Sequence, residues 1–154
     1  MGTLKLKEST VSLDAQVEEK VAAIKSKENR SYFSKLQEAG KMFVRDRIQY
    51  IIDANSVEIE DGLFARVKEE DFLPGDAVVT VVAKINGQSV DIIANDMTVK
   101  AGTWGVKTIE KIMRMQELTG KRKIPLIYMI DSAGARLNEQ FDTFIDRRHA
   151  GNIF

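Results

Sequence analysis

Two short runs of small residues offer the most chemistry in this sequence: Lys100-Ala101-Gly102-Thr103 and Ser132-Ala133-Gly134-Ala135. Each follows a strand-like apolar run and precedes a helical pattern. Backbone N–H groups in the first turn of a helix have no intrahelical acceptor and lie at the positive end of its dipole. Amides so placed can hold an anion, or the negative charge that develops on a carbonyl oxygen during a reaction. Small side chains also let a ligand approach the backbone closely. Ordinary tight connections have the same composition, so a purely structural reading of both turns stays open here.

Other candidates carry less. Asp96 and Asp131 are possible general bases, although an Asp at a strand end usually serves a turn or a cap. His149, in Arg147-Arg148-His149-Ala150-Gly151, has no visible partner and reads as a surface or interface residue. Gly40-Lys41 lacks the rest of a P-loop, which excludes nucleotide binding there. Trp104 reads as a packing anchor.

The elements that must position these turns follow from periodicity. Residues up to 38 read as helix, with Ser12 or Asp14 as cap and Val17, Val21 and Ile24 at helical spacing. A second helical pattern runs from Phe43 through Arg47, Ile48, Ile51 and Ile52 to about Asn55. Neither helix can bury its own stripe, so both are expected to pack on something else. Leu73-Pro74-Gly75-Asp76 is a turn signal. Ala77 to Ile85 and Gln88 to Ala94 are β-branched runs joined by Asn86-Gly87, the signature of a type I′ hairpin. Their near-continuous apolar character predicts cover on both faces. A helix over about Val106–Leu118, closed by Gly120, and a strand over Ile124–Ile130 come next. The order β-β-loop-α-β-turn-α predicts an α/β fold with its small-residue turns at carboxyl ends of strands.

Composition narrows the classes. The 154 residues are 44% hydrophobic and 30% charged, a globular mixture for one domain. Twenty-three basic and 23 acidic side chains cancel, which argues against nucleic acid and against a polybasic membrane binder. The absence of cysteine excludes disulfides, Cys metal sites and a Cys nucleophile, and one histidine makes no metal cluster, so no metal site is expected. No apolar run approaches the roughly 20 residues of a membrane helix. Met1 to Glu8 has no apolar core of a secretory signal, which makes the cytoplasm the default location.

Several segments, in order, resemble one family. Ala94-Asn95-Asp96-Met97-Thr98-Val99-Lys100-Ala101-Gly102-Thr103 resembles its AND-x-TV segment with a following G-S/T. Asp131-Ser132-Ala133-Gly134-Ala135-Arg136 resembles its DSGGAR turn. Gly40-Lys41, Arg45-Asp46-Arg47-Ile48 and Asp53 resemble its GK…RERI…LLD helix, and Asp76-Ala77-Val78-Val79-Thr80 the opening of its first hairpin. Glu110-Lys111-Ile112 to Glu117-Leu118 is similar to its next helix, and Pro125-Leu126-Ile127 to the strand before the second turn. The family is the carboxyltransferase (beta) subunit of biotin-dependent acyl-CoA carboxylases of the propionyl-CoA and methylcrotonyl-CoA type, and the likeness runs from about Gly40 onward. Where the family turn has Gly-Gly, this chain has Ala133-Gly134, whose methyl group requires a negative φ at 133. Where the family has TG-x-G, it has Thr80-Val81-Val82-Ala83.

The resemblance implies an α/β, crotonase-like (ClpP/crotonase) fold, partial, with N-terminal helical arms. It divides the chain into N-terminal helices, 1–55, and the first part of the carboxyltransferase N-domain, 56–154. It implies transfer of a carboxyl group from carboxybiotin to the α-carbon of an acyl-CoA through an enolate. Ala133 and Gly134 would supply the oxyanion hole with their backbone N–H groups. Lys100, Ala101, Gly102, Thr103, Ser132 and Arg136 would contact CoA. No cofactor would be covalently bound; carboxybiotin would arrive on a biotin carboxyl carrier or biotin carboxylase partner, and the subunit would be a homo-oligomer. Family members are several times longer, so this chain is expected to be an N-terminal fragment, interrupted at Ile153-Phe154 and inactive alone. The alternatives are the matching subunit of a biotin-dependent decarboxylase, or a non-catalytic chain that associates with full-length subunits.

Overall fold

The computed structural model describes residues 12–28, 30–67, 72–143 and 149–153. Its centre is the expected hairpin. β2 (Val78–Ile85) and β3 (Gln88–Asn95) pair antiparallel from Val78↔Asn95 to Ile85↔Gln88. Asn86 and Gly87 both have positive φ, at 50° and 77°. Asp53 closes this turn from outside: its carboxylate accepts from the Asn86 and Gly87 N–H groups at 2.8 and 2.7 Å. β1 (Ile59–Asp61) adds antiparallel to β2, and β4 (Leu126–Met129) adds parallel to β3, giving the order β1-β2-β3-β4. Sequence reasoning left β1 unread, because Ile-Glu-Asp has no alternation to betray it.

Both faces of the hairpin are covered, as its apolar runs predict. On one face Val79, Val81, Ala83, Val90, Ile92 and Ala94 meet α2 (Phe33–Glu38) and α3 (Val44–Ile51) through Leu36, Phe43, Val44 and Ile48. An eight-residue helix is marginal by itself; burying a Val or Ile side chain contributes about 1.5–3 kcal/mol, which is what holds α3 in place. On the other face Val78 and Ile93 meet Ile109, Ile112 and Met115 of α4 (Val106–Arg122), together with Ile153. Phe154 lies outside the described residues.

The apolar runs conceal polar residues on the α4 side. Asp91 is fully buried there, accepting from Thr119 Oγ1 at 2.7 Å and Arg122 Nη1 at 3.0 Å. That grip explains a departure from expectation. α4 continues past Gly120, which sits inside the helix, and the left-handed residue that ends it is Lys123, at φ 54°. The N-terminal helix also differs. α1 (Leu13–Lys25) is capped by Ser12, whose side chain accepts from the Ala15 N–H, but it stops at Ser26. Buried Arg30 turns back there and donates to the Ile24 and Ser26 carbonyls, taking up acceptors that a longer helix would have used. The helix expected after Arg136 is a 3-10 turn (Leu137–Glu139) followed by α5 (Gln140–Thr143). None of the described helices is long and apolar enough to cross a membrane.

Candidate active site

The parallel step from β3 to β4 brings the two turns side by side at the carboxyl ends of those strands. Three backbone hydrogen bonds join them. Ala133 N–H donates to Ala101 O at 3.1 Å, Trp104 N–H to Gly134 O at 2.9 Å, and Arg136 N–H to Trp104 O at 2.9 Å. Trp104 and Ala135 therefore form a single parallel bridge, and the Ala135 N–H is directed away from Trp104.

The first turn is tightly wound. Lys100, Ala101 and Gly102 have φ of 46°, 53° and 66°, a left-handed run that is strained for the two non-glycine residues. Thr103 donates its hydroxyl to Lys100 O at 2.7 Å, and Lys100 is exposed. Gly102 is buried, and a Cβ there would stand 2.3 Å from Asp131 O of the second turn. Glycine is thus required both by φ and by the close approach of the two backbones.

The amides at the start of α4 are not bare. Glu139 accepts from Val106 N–H at 2.9 Å, and Asp76 accepts from Thr108 N–H at 2.7 Å. Carboxylates at a helix N-terminus complement its dipole, so this end is already neutralised from within. The Val106 and Thr108 amides are thus not open to an anion, contrary to the reading from composition. Burial pushes the Glu139 carboxyl up, but the Val106 N–H, Arg66 and Arg136 outweigh it and hold the group below the usual range.

The second turn does not bend into a helix. Residues 131–134 are irregular and lead to the Ala135 bridge. Ala133 and Gly134 are exposed, yet both amides have acceptors: Ala101 O for Ala133, and Ser132 Oγ at 3.1 Å for Gly134. The expected pair of bare amides is therefore not present in this state, since each finds a local oxygen. Gly134 lies at φ 106°, whereas Ala133 stays out of the positive-φ region, as its methyl group requires.

Arg136 was expected against CoA; its guanidinium is turned inward. It is 6% exposed and donates from Nε to Thr103 Oγ1 at 3.3 Å, from Nη2 to Thr103 O at 3.1 Å, and from Nη1 to Asp76 and Glu139. Arg66 pairs with Glu139 at 2.7 Å. Sequence reasoning gave no site role to Asp76, Thr108, Glu139 or Arg66, and placed Asp76 only in a turn signal at the opening of the hairpin. Beside this network a cleft of about 390 Å³ opens, with Lys100, Thr103, Ala135, Arg136 and Asn138 in its wall. A second hollow of about 180 Å³ lies behind the first turn, walled by Tyr32, Leu36, Lys41, Met97 and Ala101.

Two of the remaining candidates, Asp96 and Asp131, have structural partners. Asp96 is buried and accepts from Thr98 N–H and Oγ1 as a turn residue. Asp131 pairs with Lys41 at 2.6 Å. His149 borders a small hollow with Glu110 and Asp142. Among the described residues no group of His, Asp or Glu is placed to hold a metal ion.

The carboxyl transferase domain matches residues 35–154, which include both turns and the sheet that carries them. The chain belongs to the carboxyl transferase domain family. It is 51% identical over 123 residues to an uncharacterised carboxylase of Bacillus subtilis, covering 80% of this chain and 24% of that one. It is 35% identical over 143 residues to the biotin-dependent 3-methylcrotonyl-coenzyme A carboxylase beta1 subunit of Mycobacterium tuberculosis, covering 92% and 27%. Among solved structures it matches transcarboxylase 12S, a hexamer with methylmalonyl-coenzyme A bound, at a TM-score of 0.77 and 26% identity, covering 85% and 27%. The fold is the crotonase-like α/β fold of these carboxyltransferases, here in part. The chain spans about a quarter of the length of these relatives.

Proposed function

We propose that this chain forms the acyl-CoA side of a carboxyl-transfer site, the thioester lying along the 390 Å³ cleft between the two turns. The observation that carries this reading is the interlock of residues 100–104 and 133–136, which presents Gly134 at the surface with its amide held only by a rotatable hydroxyl. Rotation of Ser132 releases that N–H to a thioester oxygen. The Ala133 amide joins it only by leaving Ala101 O, so Gly134 is the first donor of the proposed oxyanion hole. Loss of an α-proton makes the thioester an enolate, whose oxygen takes these hydrogen bonds. Its α-carbon then bonds to the carboxyl carbon of carboxybiotin as the N–C bond breaks, and the departing biotin ring nitrogen takes up the proton that the α-carbon lost. Removing one good oxyanion donor typically lowers such a rate by about 10²–10³.

Lys100 is the exposed cation at the mouth, suited to a CoA phosphate, and Thr103 stands in the wall, while Ala101, Gly102 and Ser132 shape the two turns behind it. Carboxybiotin is a substrate delivered by a biotin carboxyl carrier or biotin carboxylase partner, and the working subunit is a homo-oligomer. The names of the relatives support both. In this reading residues 1–55 are helical arms, of which Leu36 and Lys41 back the first turn, and 56–154 are the first part of the carboxyltransferase fold. The test is calorimetric titration of the chain with propionyl-CoA and acetyl-CoA. Saturable binding tighter than about 1 mM, roughly 4 kcal/mol, is expected. Heats no larger than those of dilution would refute the reading.

A further inference from the structure

We propose that Asp76 is the positioning residue of the two turns: one buried carboxylate sets their register, and with it the tightness of thioester binding, without reaching the cleft itself. The inference rests on the acyl-CoA reading of that cleft.

Asp76 has no exposed surface. Its Oδ2 accepts from Thr108 N–H and Thr108 Oγ1 at 2.7 and 2.9 Å, which fixes the start of α4. Its Oδ1 accepts from Arg136 Nη1, and Arg66 Nη1 stands 3.8 Å away. Through Arg136 the connection continues to both polar oxygens of Thr103. Asp76 thus meets one turn through Arg136, the other through Arg136 and Thr103, and the helix between them through Thr108. Glu139 reaches the same segments through Arg136 and the Val106 N–H but lies at the cleft rim, whereas Asp76 is wholly buried.

The backbone supports a dedicated role. Gly75, Asp76 and Ala77 have φ of 67°, 52° and 64°, so two non-glycine residues are held left-handed in succession. The same conformation recurs at Lys100-Ala101-Gly102, and Leu73, Ala77 and Val99 pack the two strained segments together. Strain of this kind persists where surrounding contacts over-determine it, and it gathers at functional sites. Lys111 completes the support, its ammonium donating to Gly75 O and Val78 O on either side of the carboxylate. A purely local helix cap would need neither the Arg136 link nor this geometry.

The test compares Asp76→Asn, Arg136→Lys and the double variant with the parent chain. Three quantities are read: affinity for propionyl-CoA, the emission of Trp104, and amide hydrogen exchange. Asp76→Asn keeps size and shape while removing the charge that faces Arg136. It is expected to weaken propionyl-CoA binding about tenfold or more. Exchange at the Trp104, Ala133 and Arg136 amides should quicken and Trp104 emission should shift, with the β2–β3 amides as protected as in the parent. The double variant should bind no more weakly than the worse single one, because both break one linkage. Where Asp76→Asn fails to fold, Arg136→Lys decides alone, since it keeps the charge but loses the fork onto Thr103. Turn amides and affinity unchanged in a folded variant would overturn the proposal, as would uniform loss of protection through the hairpin. If the parent binds no thioester the acyl-CoA reading falls, and with it the claim on affinity, whereas the exchange pattern still tests the claim on register.

Discussion

The two turns are alike in composition and opposite in construction. Residues 100–103 are anchored: Gly102 is buried under Asp131 O, and Thr103 is held by Arg136 on both its oxygens. Residues 132–135 are presented: Ala133, Gly134 and Ala135 are exposed, and a Cβ on Gly134 would meet nothing within 4 Å. Such a division suits a site in which one backbone sets the geometry and the other meets the ligand. Small residues are needed in the first for close packing and in the second for access.

The anchoring is tested most severely by Arg136→Ala, which leaves buried Asp76 without its main cation. Breaking a buried pair costs about 3–5 kcal/mol, read as a lower urea midpoint. Gly102→Ala should cost about 3 kcal/mol, by backbone collision added to an unfavourable φ.

Lys111, which holds the segment around Asp76, gives a pH test of the same anchored side. Burial pushes the Lys111 amine down to about 8. Between that value and the ordinary lysine range the unfolded chain binds more protons than the folded one. Stability should therefore rise with pH from about 8 to 10, by up to about 3 kcal/mol. Lys111→Met should lack this rise in urea titrations run across the window.

The presented turn should respond weakly. Gly134→Ala meets no atom but must adopt φ near 106°, so its cost should be about 1–2 kcal/mol, below that of Gly102→Ala in the same assay. A Gly134→Ala effect equal to or above that of Gly102→Ala would erase the distinction between the turns. Ser132→Ala should move stability by no more than about 0.5 kcal/mol. Its signature is faster exchange of the Gly134 amide, with Ala133 unchanged.

Legibility in the sequence followed the range of the forces involved. The hairpin could be read because Asn86-Gly87 states its own geometry within two residues, and cover on both faces followed from near-continuous apolar runs. The turns could be found because their composition is local. What stayed hidden was who fills their hydrogen bonds. Asp76 is 32 residues from Thr108, and Glu139 is 33 from Val106, so the sequence displayed the helix start without its carboxylates. The end of α4 was misjudged at Gly120 for the same reason, since Asp91, on another strand, carries the helix onward through Thr119 and Arg122. The break after α1 depends on Arg30, which went unread in the sequence and which folds inward beside Asp96.

Asp53 fastens the hairpin tip at the end of the sheet remote from both turns. Eight-residue strands separate tip from turns by about 25 Å. A dye or tether at this pole would sit on the paired hairpin and leave the opposite pole, with both turns, uncovered. Distances measured from there would report movement of either turn against a fixed origin.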